Sequence, residues 1–174
     1  IIYNGSNGST YADELIINNC VNNGEIEGDT VAGIIGNSSG NLKLSDCENN
    51  GAINGRYSAG GIAQCIENKN SNEAEVSNCI NNGNVFGGEE AAGIIDYAEG
   101  ITVTNCINNG NISSNGYVGG IFSYTSSVKG TGLVNNGKIS GLEDIGGISS
   151  YDEGNSIFSK LYNTGVIDEE NIGA

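Results

Sequence analysis

The phrase Asn-Asn-Gly returns along this chain at a nearly fixed interval, closing at Gly24, Gly51, Gly83, Gly110 and Gly137 and, as Asn163-Thr164-Gly165, at Gly165. Successive closures are 27, 32, 27, 27 and 28 residues apart. A period in this range is the mark of a solenoid, in which each repeat makes one coil and only stacking buries a core. Gly and Asn enrichment alone would suit a disordered chain, but disordered segments do not place apolar residues at fixed spacing. Here they recur in register. The absence of Pro fits a chain whose backbone N–H groups are needed for strand ladders.

The unit from Ile101 to Tyr124 shows the pattern. Ile101, Val103 and Cys106 lie close to a period-2 strand with one buried face. Asn108-Asn109-Gly110 reads as a turn whose glycine supplies a positive φ. Ile112 marks a second short strand, and Gly119-Gly120-Ile121-Phe122 a third, followed by Tyr124. The other units keep this register. Two residues after the turn glycine stand Ile26, Ile53, Val85, Ile112, Ile139 and Ile167. The fold expected is therefore all-β: a right-handed parallel β-helix (β-solenoid) of about six coils of ~27 residues, three short strands per coil, filling residues 1–174 as one domain. Right-handedness is the default of parallel crossovers. The L-x-x-L-x-L signature of leucine-rich repeats is missing. Helical periodicity is limited to one turn over Tyr11-Ala12-Asp13-Glu14-Leu15. The chain opens on Ile1-Ile2, like the mid-coil Ile94-Ile95, and closes on Ile172-Gly173-Ala174, where another such strand would begin. Solenoids need capped ends, so the expectation is a segment of a longer repeat protein.

Most residues with chemical potential fall on ladders. Cys20, Cys47, Cys79 and Cys106 each precede a turn glycine by four residues, and Leu133 and Leu161 hold the same slot. A slot shared by Cys and Leu is a core slot, so buried free thiols are expected rather than disulfides or a zinc site. Cys65 stands apart, in the slot of Tyr97, Tyr124 and Tyr151, and precedes the irregular stretch 66–73 that accounts for the long gap. That stretch reads as a tolerated surface insertion, with a binding loop as the competing reading. Tyr97, Tyr124 and Tyr151 would stack along the axis, stabilising the sheet and, where exposed, offering a surface for sugar rings. Paired asparagines would form amide ladders. Asp29, Glu89-Glu90, Glu143-Asp144 and Glu169-Glu170 gather before the third strand, where weakly bound Ca²⁺ is an open expectation. The calcium-binding repeat G-G-x-G-x-D is absent.

Six Lys/Arg against 21 Asp/Glu give a formal charge of −15, which opposes nucleic acid and anionic membrane surfaces as partners. No apolar run approaches the ~18 residues of a membrane-inserting helix, and no N-terminal signal pattern is visible.

With these positions in view, the chain resembles GLUG-motif repeats, which are found in large bacterial surface proteins. The resemblance rests on the recurring N-C-x-N-N-G-x-[IV] and G-G-I segments and covers nearly the whole chain. The full four-residue core stands only as Gly33-Ile34-Ile35-Gly36; its counterparts end in Gln64, Asp96, Ser123 and Ser150. The resemblance implies a secreted or surface-anchored, adhesin-like bacterial protein, in which such repeats sometimes accompany an immunoglobulin A-cleaving metalloprotease domain. Its implied partners are other domains of the same chain and a host glycan or surface protein.

Two functions are weighed. One is a structural or adhesive stalk segment, not an enzyme; the other is a carbohydrate-binding or carbohydrate-active parallel β-helix of the polysaccharide lyase or hydrolase kind. The latter enzymes need clustered carboxylates with a base or Arg in a cleft, and the one Arg here is Arg56. The absence of His excludes an H-E-x-x-H zinc site or a His-based triad within this segment. No catalytic, metal or resident cofactor site is assigned; Tyr97, Tyr124 and Tyr151 are the candidate ligand-binding residues.

Overall fold

In the computed structural model, residues 2–4, 14–68 and 74–169 are described, and these are all-β, with parallel strands stacked as a solenoid of about six turns. Each side of the coil is finer than the three strands expected. In the fourth coil the chain forms Ile95–Glu99, Thr102–Thr104, Ile107–Asn108, Ile112–Ser114 and Tyr117–Gly119. Their copies stack into four sheets, here A, B, C and D, the last two strands of each coil forming two arms of D. The run expected as one strand from Ile101 to Cys106 breaks at Asn105, whose φ of 54° is left-handed. Asn19, Asp46, Asn78, Gly132 and Lys160 occupy the same corner with the same sign of φ. Asn, Asp and Gly tolerate that conformation best, which accounts for their place before the Cys/Leu slot.

The Gly-Gly-Ile segments are also not single strands: the first residue ends an arm of D, and the Gly-Ile step that follows is a corner. Gly93 and Ile94 form the corner between Tyr117-type arms of D and the start of sheet A at Ile95. A Cβ on Gly93 would lie 2.2 Å from the Gly120 carbonyl oxygen and 2.5 Å from Asn108 Cγ. Gly61 meets Asn81, and Gly120 meets Asn135, in the same way. The cross-section is thus pinched where corner glycines touch the asparagines of sheet C. The pinch divides the interior into two apolar lobes. One, between A and B, holds Ile35, Leu42, Leu44, Ile66, Val76, Ile94, Val103 and Phe122. The other, between the arms of D, holds Ile53, Val85, Ile112 and Ile139 against Ala59, Ala91 and Val118. Burying each large side chain contributes roughly 1.5–3 kcal/mol.

The refrain itself sits at the waist. Asn49, Asn81, Asn108 and Asn135 are fully buried. Each Nδ2 donates to the carbonyl of its own turn glycine, as from Asn108 to Gly110 at 2.8 Å. The same nitrogen donates to the next asparagine's Oδ1, giving Asn22→Asn49→Asn81→Asn108→Asn135→Asn163 at 2.7–2.8 Å. An amide carries two donors and an acceptor on one group, so Asn completes the chain of bonds and Asp cannot. The second asparagines form an exposed ladder of opposite sense, Asn136→Asn109→Asn82→Asn50→Asn23.

The turn glycine does not serve the positive φ expected of it. The described glycines with positive φ are Gly40, Gly100, Gly132 and Gly154. Gly110 is needed because a Cβ there would lie 1.9 Å from the Gly83 carbonyl oxygen of the coil before. Gly51, Gly83, Gly137 and Gly165 face the same obstacle at 1.8–1.9 Å. The refrain is a stacking device rather than a turn of special backbone.

At the N-terminal side, Ile2–Asn4 pairs with Ile35–Ser39 in sheet A, the place expected for Ile2. The expected helical turn falls mostly on residues outside those described, and Leu15 opens a strand of sheet B instead. Ile172-Gly173-Ala174 also lie outside the described residues.

Candidate functional site

Sheet A turns the tyrosine file outward. Its strands place Asn37, Cys65, Tyr97, Tyr124 and Tyr151 in one register column. The Tyr97 and Tyr124 rings stack with centroids 4.5 Å apart and planes 6° from parallel. Tyr124 and Tyr151 follow at 5.5 Å and 27°, and Tyr117 meets Tyr151 edge-on at 6.2 Å. The stack expected from the sequence is present. Its geometry narrows what it can offer, because neighbouring rings cover one another's faces and leave edges and hydroxyls outward. Tyr151, at the end of the file, is the most exposed at 46%.

The hydroxyls are tied to carboxylates. Tyr124 Oη donates to Glu153 Oε2 at 2.6 Å, and Tyr97 Oη donates to Glu99 Oε2 at 3.2 Å. The bond to Glu153 pushes the Tyr124 phenol up to about 12, and burial followed by the Glu99 charge pushes Tyr97 upward as well. Both phenols therefore remain protonated donors at neutral pH. The face is a row of phenols and carboxylates suited to hydroxyl-bearing or cationic ligands through hydrogen bonds and charge.

Cys65 lies half-buried beneath this file, in register with Tyr97. The insertion leaves at the corner after Glu67, and residues 69–73 lie outside those described. Its flanks keep the ladder: Asn68 N–H donates to Glu99 O at 2.8 Å, and Glu75–Ser77 pairs with strands on both sides. The extra residues are accommodated without a change of register.

The other thiols are scaffold. Cys47, Cys79 and Cys106 are buried, Cys20 is half-buried, and all are free. Each sits at the corner between sheets B and C, donating to the carbonyl two residues earlier, as Cys47 to Ser45 at 3.1 Å. Neighbouring thiols and burial push Cys79 up to about 12 and Cys47 further in the same direction. A protonated thiol is neither a nucleophile nor a metal ligand.

The acidic corner does not form a continuous row. Asp29 stands 3.9 Å from Arg56 Nη1, and Arg56 also lies over the Tyr57 ring at 5.3 Å. Along the arm of D, Glu90 pairs in register with Ser58 and Tyr117, so no acid stacks on it. Glu143, Asp144 and Glu169 are not fully buried, and Glu170 lies outside the described residues. Among the described residues, no group of three or more His, Cys, Asp and Glu side chains is placed to hold a metal ion.

One residue was given no role by the sequence. Asp96 fills the slot where the glycine-rich core loses its last glycine, and it is 0% exposed. Gln64 Nε2 donates to Asp96 Oδ2 and to Ser58 Oγ, each at 3.3 Å. Asp96 Oδ1 and Ser123 Oγ are buried without a hydrogen-bond partner. Burial first, and then the Glu90 charge, pushes the Asp96 carboxyl up to about 7. Burial and Glu89 push Glu90 upward too. The only available signal was a polar run, Gln64, Asp96, Ser123 and Ser150, at a slot next to core isoleucines.

The geometry defines a parallel β-solenoid bearing a tyrosine–carboxylate face. Compared with protein-family models and with curated protein sequences, the chain matches none of either.

Proposed function

We propose that this chain is a structural and adhesive repeat segment of GLUG type, belonging to a secreted or cell-surface bacterial protein, and not an enzyme. The observation that carries this reading is the continuity of the coil-to-coil bonding. Four sheets and the buried amide ladder run the length of the described coils, the construction of a stiff spacer. Other domains of the same longer chain are its natural neighbours. The phenols of Tyr97, Tyr124 and Tyr151, held by Glu99 and Glu153, supply the adhesive face, and a host glycan or surface protein is the partner class they suit.

The hydroxyl row favours carbohydrate binding as the specific form of that adhesion. A screen of immobilised host glycans tests it. Saturable binding is expected, weakened about tenfold by Tyr124→Ala, which removes the central ring of the file without touching the core. Binding unchanged in that variant would remove the file from the account. Polysaccharide cleavage abolished by a single Asp or Glu substitution would replace the stalk reading with a carbohydrate-active one.

A further inference from the structure

The seam where sheet A folds back over the arm of D that carries Glu90 collects several side-chain oxygens, two of them buried without a hydrogen bond. Asp96 and Ser123 occupy the same slot on neighbouring coils, flanked in register by Ile95↔Phe122 and Tyr97↔Tyr124. Both are 0% exposed; Asp96 Oδ1 and Ser123 Oγ make no close hydrogen bond, while the Ser123 and Ser58 hydroxyls lie near enough to Asp96 to favour its charged form. Buried oxygens of this kind cost free energy unless a proton, water or ion satisfies them. Gln64 lies one coil earlier at the same slot and joins Asp96 to Ser58. Glu90, half-buried on the adjacent arm, is close enough for its charge to act on Asp96. Neither acid forms an ion pair among the described residues.

We propose that this seam is a calcium site, in which the Asp96 and Glu90 carboxylates and the Ser123 and Ser58 hydroxyls hold the ion, with the Gln64 amide turned to present its oxygen. The donor set is entirely oxygen, which selects a hard cation over zinc or copper. Two carboxylates match a divalent charge. Ca²⁺ takes about six to eight oxygens in flexible geometry, so it accepts hydroxyl and amide donors and a water more readily than Mg²⁺ does. The ion would bridge three successive coils and cross-link sheet A to the arm of D.

The test is a thermal melt of the whole chain at pH 8, stripped with EDTA and then titrated with CaCl₂. At saturating calcium the Tm of the wild type is expected to rise by about 5–10 °C. Asp96→Asn loses the rise, and Ser123→Ala weakens the calcium response at least tenfold. Glu143→Gln, an acid outside the seam, keeps the full response. TbCl₃ gives a second readout: with Tyr97 adjacent to Asp96, excitation of tyrosine produces terbium emission in the wild type that Asp96→Asn abolishes. No Tm rise in the wild type, or an equal rise and equal emission in Asp96→Asn, overturns the site. If Asp96→Asn does not fold, an unchanged calcium response in Ser123→Ala overturns it instead.

Discussion

Replacing Gly110 by Ala is expected to abolish cooperative folding of the central coils. The added Cβ would lie 1.9 Å from the Gly83 carbonyl oxygen and 2.6 Å from its carbon, both backbone atoms. No rotamer relieves such an overlap. The coils must separate locally, and that breaks the Asn81–Asn108 amide bond and the backbone bond from Asn109 N–H to Asn81 O. Overpacking alone costs about 1–3 kcal/mol, and losing buried hydrogen bonds adds about 1–3 kcal/mol each. The total comes to about 3–9 kcal/mol, a large share of the stability of a domain this size. Denaturant melts followed by circular dichroism measure it. Gly110→Asn distinguishes stacking from turn chemistry. A glycine needed for positive φ would be replaced better by Asn than by Ala; a glycine needed for space tolerates neither.

The second large effect is a pH dependence centred on Asp96. Its folded value of about 7 lies above the ordinary 3.8, so between those values the folded chain holds a proton that the unfolded chain releases. The contribution of Asp96 to stability therefore falls as pH rises through that window and levels off above it. The span corresponds to ~4 kcal/mol in calcium-free buffer. Glu90, the charged group facing Asp96 from the arm of D, is also shifted upward and adds to the slope in the same direction. Asp96→Asn removes the larger part. With EDTA present, the variant is expected to melt about 10 °C above the wild type at pH 8 and near it at pH 4. Equal pH profiles for the two proteins would contradict a buried, strained carboxyl.

The solenoid was legible because a repeat prints its period directly. Asn-Asn-Gly spacing, the Cys/Leu slot and the Ile/Val slot all locate real columns of the stack. What each column does was less accessible. Gly110 looked like a positive-φ turn because turns and stacks both favour glycine, and only the position of Gly83 in the coil before separates the two reasons. Asn105 looked like the outer face of a strand, although its left-handed φ makes it a corner. Ile26 and Ile53 looked like members of one core, whereas the pinch at Gly61 and Asn81 places them in a separate lobe. The tyrosine column was placed correctly, but ring orientation depends on packing between coils, so the covered faces could not be read from spacing. Asp96 was hidden for a related reason. Its burial arises where sheet A folds over the arm of D, a contact between slots that no single repeat displays.

Through the central coils the first asparagine of the refrain forms a buried, axial amide ladder and the second an exposed one. Side-chain amide hydrogen exchange in protein labelled with ¹⁵N-asparagine tests it most directly. The Nδ2 protons of Asn49, Asn81, Asn108 and Asn135, all 0% exposed and bonded coil to coil, should persist long after transfer to D₂O. Those of Asn50, Asn82, Asn109 and Asn136, bonded on the surface, should exchange much sooner. Equal and rapid exchange in both sets would contradict the ladder, and with it the account of why the refrain recurs.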